Sequence, residues 1–121
     1  MNSGKILIVE DEEDINELLK DFLVMKGYRD VTTVTKGKEA LEFIKNDKPD
    51  VVFLDIVLED DIDGMNVLKD GRLVSPGTKF VMMSAHKDDY GQKAKELGAY
   101  AFLGKPVEVN AIKNILKEMA V

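Results

Sequence analysis

The chain alternates short apolar runs with stretches whose apolar residues recur at helical spacing, and few folds accept that pattern. Lys5–Val9 (KILIV) is too short for a buried helix and rich in β-branched side chains, so it reads as a buried strand. From Asp14 to Lys26, Ile15, Leu18, Leu19 and Phe22 share one helical face, and Gly27 is a fitting stop. Val31–Thr35 (VTTVT) is the second strand, and Lys38–Asn46 the second helix, with Ala40, Leu41 and Ile44 on one face. After Pro49, the run Asp50–Asp55 is a third strand, apolar on both faces as in the middle of a covered sheet. Gly64 to about Leu73 is predicted helical, with Gly71 costing about 1 kcal/mol relative to alanine. Pro76-Gly77 turns the chain into the strand Thr78–Met83; the helix Lys87–Leu97 ends at Gly98; Tyr100–Leu103 is the fifth strand. Val109–Met119 closes the pattern with Ile112, Ile115, Leu116 and Met119 as its stripe. Strict strand–helix alternation implies an α/β fold: a parallel five-stranded sheet, right-handed crossovers and helices on both faces.

Composition narrows the function. The 121 residues fit one domain, 1–121, and 45% hydrophobic with 33% charged residues is enough to build a core. There is no cysteine and the one histidine is His86, which excludes disulfide frameworks, thiolate sites and multi-histidine metal sites. A net charge of -6 argues against a nucleic-acid partner. Apolar runs of about four residues do not insert into a membrane, and MNSGKILIVED lacks the order of a signal peptide. A soluble, cytoplasmic protein is expected.

In an open parallel sheet, ligands bind beyond the carboxyl ends of the strands. Those ends carry Glu10-Asp11, Asp55, Ser84 and Lys105-Pro106. If the first strand lies beside the third, three carboxylates converge, with a lysine and a hydroxyl beside them. Clustered carboxylates repel unless a cation compensates. Oxygen-only ligands suit a hard ion, Mg2+ or Mn2+. A carboxylate can also act as a nucleophile and form an aspartyl phosphate, whose charge a metal, an ammonium and a hydroxyl would stabilise. Plainer roles exist for each. Glu12, Glu13 and Asp14 suit an acidic helix start; Asp55 could be a turn residue, Lys105 a surface lysine, Ser84 a helix cap, Phe102 core, His86 a loop residue. Glu59 to Asp63 reads as a solvated acidic loop rather than a second metal site, and Met82-Met83 as core.

The segments KILIVEDEEDI, PDVVFLDI, VMMSA and GKP, in this order and each at a strand end, resemble response regulator receiver domains along essentially the whole chain. The resemblance implies a flavodoxin-like doubly wound (βα)5 fold with strand order 2-1-3-4-5. It implies that Asp55 accepts a phosphoryl group from a phosphohistidine on a sensor histidine kinase or histidine phosphotransfer protein. It makes Asp11 a direct metal ligand, Glu10 a second one through water, and the Val57 backbone carbonyl a third. Lys105 would bind the phosphoryl group, Pro106 would follow through a cis bond, and Ser84 and Phe102 would form the switch. Signalling would pass to a downstream target protein, the first helix meeting the kinase and the face of the fourth helix, fifth strand and fifth helix the target. Such a protein is a switch acting on itself rather than a turnover enzyme.

The chain departs from the family pattern in places. Glu10 replaces the commoner aspartate, Phe102 lacks a tyrosine hydroxyl, and Glu59 stands for a proline in a loop one residue longer before Gly64. Val57 and His86, two residues after Asp55 and Ser84, offer no carboxylate or amide to orient a hydrolytic water, so a longer-lived phosphoryl group is expected. One alternative is a phosphorelay intermediate that hands the group to another histidine protein. An aspartyl-nucleophile phosphatase would want an acid–base aspartate where Val57 stands. A flavin binder would need a Ser/Thr/Gly-rich loop where EDEED stands. The intact acidic pair with Asp55, Ser84 and Lys105 argues against a receiver fold without chemistry.

Overall fold

A computed structural model describes residues 4–58, 63–85 and 87–121. The strands are β1 (Lys5–Val9), β2 (Asp30–Val34), β3 (Val51–Asp55), β4 (Lys79–Ser84) and β5 (Ala101–Gly104). The helices are α1 (Glu13–Met25), α2 (Gly37–Asp47), α3 (Gly64–Val74), α4 (Lys87–Glu96) and α5 (Val109–Glu118). All strand pairs are parallel, in the order β2-β1-β3-β4-β5, which is the doubly wound order expected. Among the described residues, no helix is long and apolar enough to cross a membrane.

Strand alternation builds two cores. Leu7, Val9, Val52, Leu54, Phe80 and Met82 face Ala40 and Ile44 of α2, Val67 and Leu68 of α3, and Ala94 of α4. Ile6, Ile8, Val51, Phe53, Val81 and Met83 face Leu19 and Leu23 of α1 and Ile112 and Leu116 of α5. The three central strands are buried on both faces apart from the first residues of β1 and β4, whereas β2 and β5 are only partly covered.

Several boundaries move by a residue, for local reasons. β2 ends at Val34 rather than Thr35, because the Val34 carbonyl accepts the Glu10 amide at 3.2 Å as the chain leaves the sheet. Thr78 precedes β4 rather than opening it: its hydroxyl donates to the Pro49 carbonyl at 2.6 Å and pairs with Ser75 Oγ at 2.6 Å. α1 is also rotated from the expected stripe. Its buried residues are Asn16, Leu19 and Leu23, while Leu18 is 61% exposed. Gly71, costly by propensity, is there for packing, since a Cβ would stand 2.7 Å from the ring of buried Phe80. The stops at Gly27 and Gly98 hold, with φ of 97° and 95° in the left-handed region.

Candidate functional site

The site is assembled at the carboxyl edge by residues at or just past the ends of β1, β3 and β5. Glu10 follows β1 and is fixed by its backbone on both sides. Its amide donates to Val34 and its carbonyl accepts Asn16 Nδ2 at 2.7 Å. Asp55 ends β3, and the next residue stays on the sheet through the Ile56 amide, which donates to the Met83 carbonyl at 3.1 Å. Lys105 leaves β5 with its amide donating to the Ser84 carbonyl at 2.9 Å, and the Lys105–Pro106 peptide is cis, as expected.

These three side chains meet. Lys105 Nζ donates to Glu10 Oε2 at 2.7 Å and to Asp55 Oδ2 at 2.9 Å. Glu10 is fully buried and Asp55 nearly so. Burial pushes the Glu10 carboxyl up to about 7; the Lys105 hydrogen bond opposes this, and the Asp55 charge and a hydrogen bond with Asp11 add to it. Burial pulls Lys105 down, but its hydrogen bonds to Glu10 and Asp55 outweigh that and hold its ammonium above the usual lysine range.

Carboxylate oxygens of Glu10, Asp11 and Asp55 lie within 4.8 Å of one another, the one such group among the described residues. Three oxygen donors converging on a point, two of them drawn onto an ammonium, fit a hard divalent cation. The acidic loop plays a different part where it is described: Asp63 caps α3, its side chain accepting the Asn66 amide at 2.9 Å. Glu59, Asp60 and Asp61, the expected lengthening of this loop, and His86 lie outside the described residues.

Val57 is 57% exposed, and its amide donates to Asp55 Oδ1 at 3.2 Å. Gly64 packs so tightly on this turn that a Cβ there would collide with the Asp55 carbonyl and with Ile56. Ser84 is buried at the end of β4, one residue past the partner of Asp55. Its neighbour in register is Gly104, and Met82 pairs with Phe102, so Ser84 and Phe102 lie on the α4 side of the sheet. Phe102 is half-buried and borders a cavity of about 330 Å³ lined by Gly91, Gln92, Ala94, Lys95 and Tyr100. Pro106, exposed, borders a crevice of about 170 Å³ with Ile15, Leu18 and Val107, floored by Met83.

Asn16 is the site residue that sequence reading missed. Its Nδ2 also donates to the Val34 carbonyl at 3.2 Å, so one side chain ties the ends of β1 and β2 beneath Glu10. The signal was present as Asn16, Leu19 and Leu23 at helical spacing, a polar residue on the inward face.

A family model described as the response regulator receiver domain matches residues 6–117. The chain is 31% identical over 119 residues to sporulation initiation phosphotransferase F of Bacillus subtilis, covering 98% of this chain and 94% of that one. It is 30% identical over 121 residues to chemotaxis protein CheY of Thermotoga maritima, covering 96% and 97%. Among solved structures it superposes on a CheY-like response regulator receiver domain protein from Methanospirillum hungatei with a TM-score of 0.89, at 28% identity over 96% of this chain and 92% of that one.

Proposed function

The chain belongs to the response regulator receiver family, and on that premise we propose that Asp55 is the phosphoacceptor of a phosphorylation-driven switch. The observation that carries this reading is the Lys105 ammonium held on Asp55 Oδ2, at the strand edge where Asp11 and Glu10 converge. A carboxylate oxygen of Asp55 attacks the phosphorus of a phosphohistidine on a sensor histidine kinase or histidine phosphotransfer protein. The P–N bond breaks, its electron pair stays on the imidazole, and an aspartyl phosphate forms. Glu10, Asp11, Asp55 and the Val57 carbonyl would hold Mg2+ or Mn2+, which supplies positive charge to the transferring oxygens. Lys105 binds a phosphoryl oxygen in place of its bond to Asp55.

The Ser84 hydroxyl then turns towards the new phosphoryl group. Phe102 borders empty space on the same side of the sheet and repacks with it, which changes the α4–β5–α5 face offered to a target protein. The apolar crevice of Ile15, Leu18, Pro106 and Val107 opens beside the acceptor and suits the docking helix of the phosphodonor. The chemistry is confined to the protein itself, with no turned-over substrate, and the cytoplasm is its setting. A relay reading, in which Asp55 passes the group on to a second histidine, is favoured by the likeness to a relative named a phosphotransferase.

Acetyl phosphate and intact-mass measurement test the proposal. One added phosphoryl group that requires Mg2+ and is lost in Asp55→Asn is expected. An adduct that persists in Asp55→Asn overturns the assignment. Return of the label to a histidine phosphotransfer protein would select the relay.

A further inference from the structure

Glu10 has a second contact that a metal ligand does not need. Its backbone is fixed by Val34 and Asn16, its side chain is fully buried, and Oε2 ends 2.7 Å from Lys105 Nζ, the shortest contact Lys105 makes. From an anchored backbone, reach depends on side-chain length. Aspartate is shorter by one methylene, about 1.5 Å, and would not reach the ammonium at its present place on Asp55 Oδ2. Oε1 is turned the other way, towards the Glu12 amide at 3.4 Å, so only Oε2 reaches the lysine.

We propose that Glu10 is a positioning residue: its carboxylate, by its length, tethers the Lys105 ammonium over Asp55, so that the cation is in place before a phosphoryl group arrives. The functional half of this inference rests on Asp55 being the phosphoacceptor; the tether itself does not. Lys105 has a long flexible side chain whose free rotamers would have to be restrained at each phosphorylation. A second carboxylate anchored in the core restrains them in advance and keeps one hydrogen bond while the other passes from Asp55 Oδ2 to the phosphoryl oxygen. Charge alone would be met equally by aspartate, so the tether makes a prediction about length that metal binding does not.

Two variants separate length from charge. Glu10→Asp keeps the charge and loses the reach; Glu10→Gln keeps the reach and an acceptor oxygen and loses the charge. In EDTA at pH 8, where the Glu10 carboxyl is ionised, the exchange of the Lys105 ammonium protons is read by 15N-selective NMR of the lysine NH3+ groups, with Lys105→Arg assigning the signal. Wild-type protein should show a slowly exchanging Lys105 signal. Glu10→Asp should exchange about tenfold faster, the factor one hydrogen bond of ordinary strength supplies, and Glu10→Gln should fall between them. With Mg2+ and saturating acetyl phosphate, Glu10→Asp should gain its phosphoryl mass several-fold more slowly than wild type.

An absent slow signal in wild type, or equal exchange in wild type and Glu10→Asp, overturns the tether. Because the wild-type signal is decisive by itself, a variant that fails to fold does not shield the idea. A released ammonium with an unchanged phosphorylation rate overturns the positioning role. A protected ammonium in a wild-type protein that gains no phosphoryl mass overturns the reading of Asp55, and the positioning role with it, while leaving the tether established.

Discussion

At the scale of single residues, the site combines burial and like charge that a fold would otherwise avoid. In the metal-free protein Glu10 holds its proton up to about pH 7, against an ordinary value of 4.5. The folded state therefore binds more protons than the unfolded one between these values, and stability falls as pH rises through that window. The loss is at most about 1.4 kcal/mol per pH unit for one group. Urea titrations in EDTA from pH 4.5 to pH 8 should show the decline, and Glu10→Gln should flatten it. A wild-type curve that rises through the window contradicts the burial account. The candidate site residues are legible in the sequence because each sits at a strand end and has a distinctive type, and the structure brings Glu10, Asp11, Asp55 and Lys105 together. Asn16 was not legible, because its role is to satisfy two backbone carbonyls that become neighbours only after β1 and β2 pair. Asn16→Ala removes both bonds and should cost about 1–3 kcal/mol in chemical denaturation, since the buried Glu10 carbonyl loses its Asn16 partner while Val34 keeps the Glu10 amide.

At the scale of elements, hydrophobic periodicity located every strand and helix, and the errors are of one residue or of rotation. Periodicity reports only that a face exists. For α1 it selected Ile15 and Leu18, which border the crevice beside the site, over Leu23, which is core. Propensity also misjudged Gly71, which is poor for a helix in isolation and required against Phe80. Gly71→Ala should gain about 1 kcal/mol of helix propensity and lose about 1–3 kcal/mol to overpacking, for a net destabilisation. Thermal unfolding gives the sign directly, and a raised midpoint would show that the Phe80 ring can yield. Asp63→Ala, which deletes the α3 cap beside the site, should cost about 1 kcal/mol on the same measurement.

At the scale of the whole molecule, alternation dictated a parallel sheet but not which strands touch; the order came with the family resemblance. Physical traces of the order are visible afterwards. β1, β3 and β4 are buried on both faces and central, while the threonine-rich β2 and the short β5 take the edges. Centrality is what sets β1 beside β3 and draws Glu10, Asp11 and Asp55 to one point. Three converging carboxylates with one ammonium leave an excess of negative charge that a divalent ion relieves only in the folded chain. Ligand binding confined to the native state raises stability by RT ln(1 + [L]/Kd), about 1.4 kcal/mol when the ion is tenfold above its dissociation constant. For a domain of this size that corresponds to a midpoint shift of about 3–6 °C. Mg2+ should therefore raise the thermal midpoint in a saturable way, EDTA should reverse the shift, and Asp11→Asn should abolish most of it. An equal shift in Asp11→Asn, or one that grows with ionic strength when NaCl replaces the magnesium salt, would mean that the cation screens the acidic surface generally. The carboxylate cluster at the strand edge would then have no special claim on it.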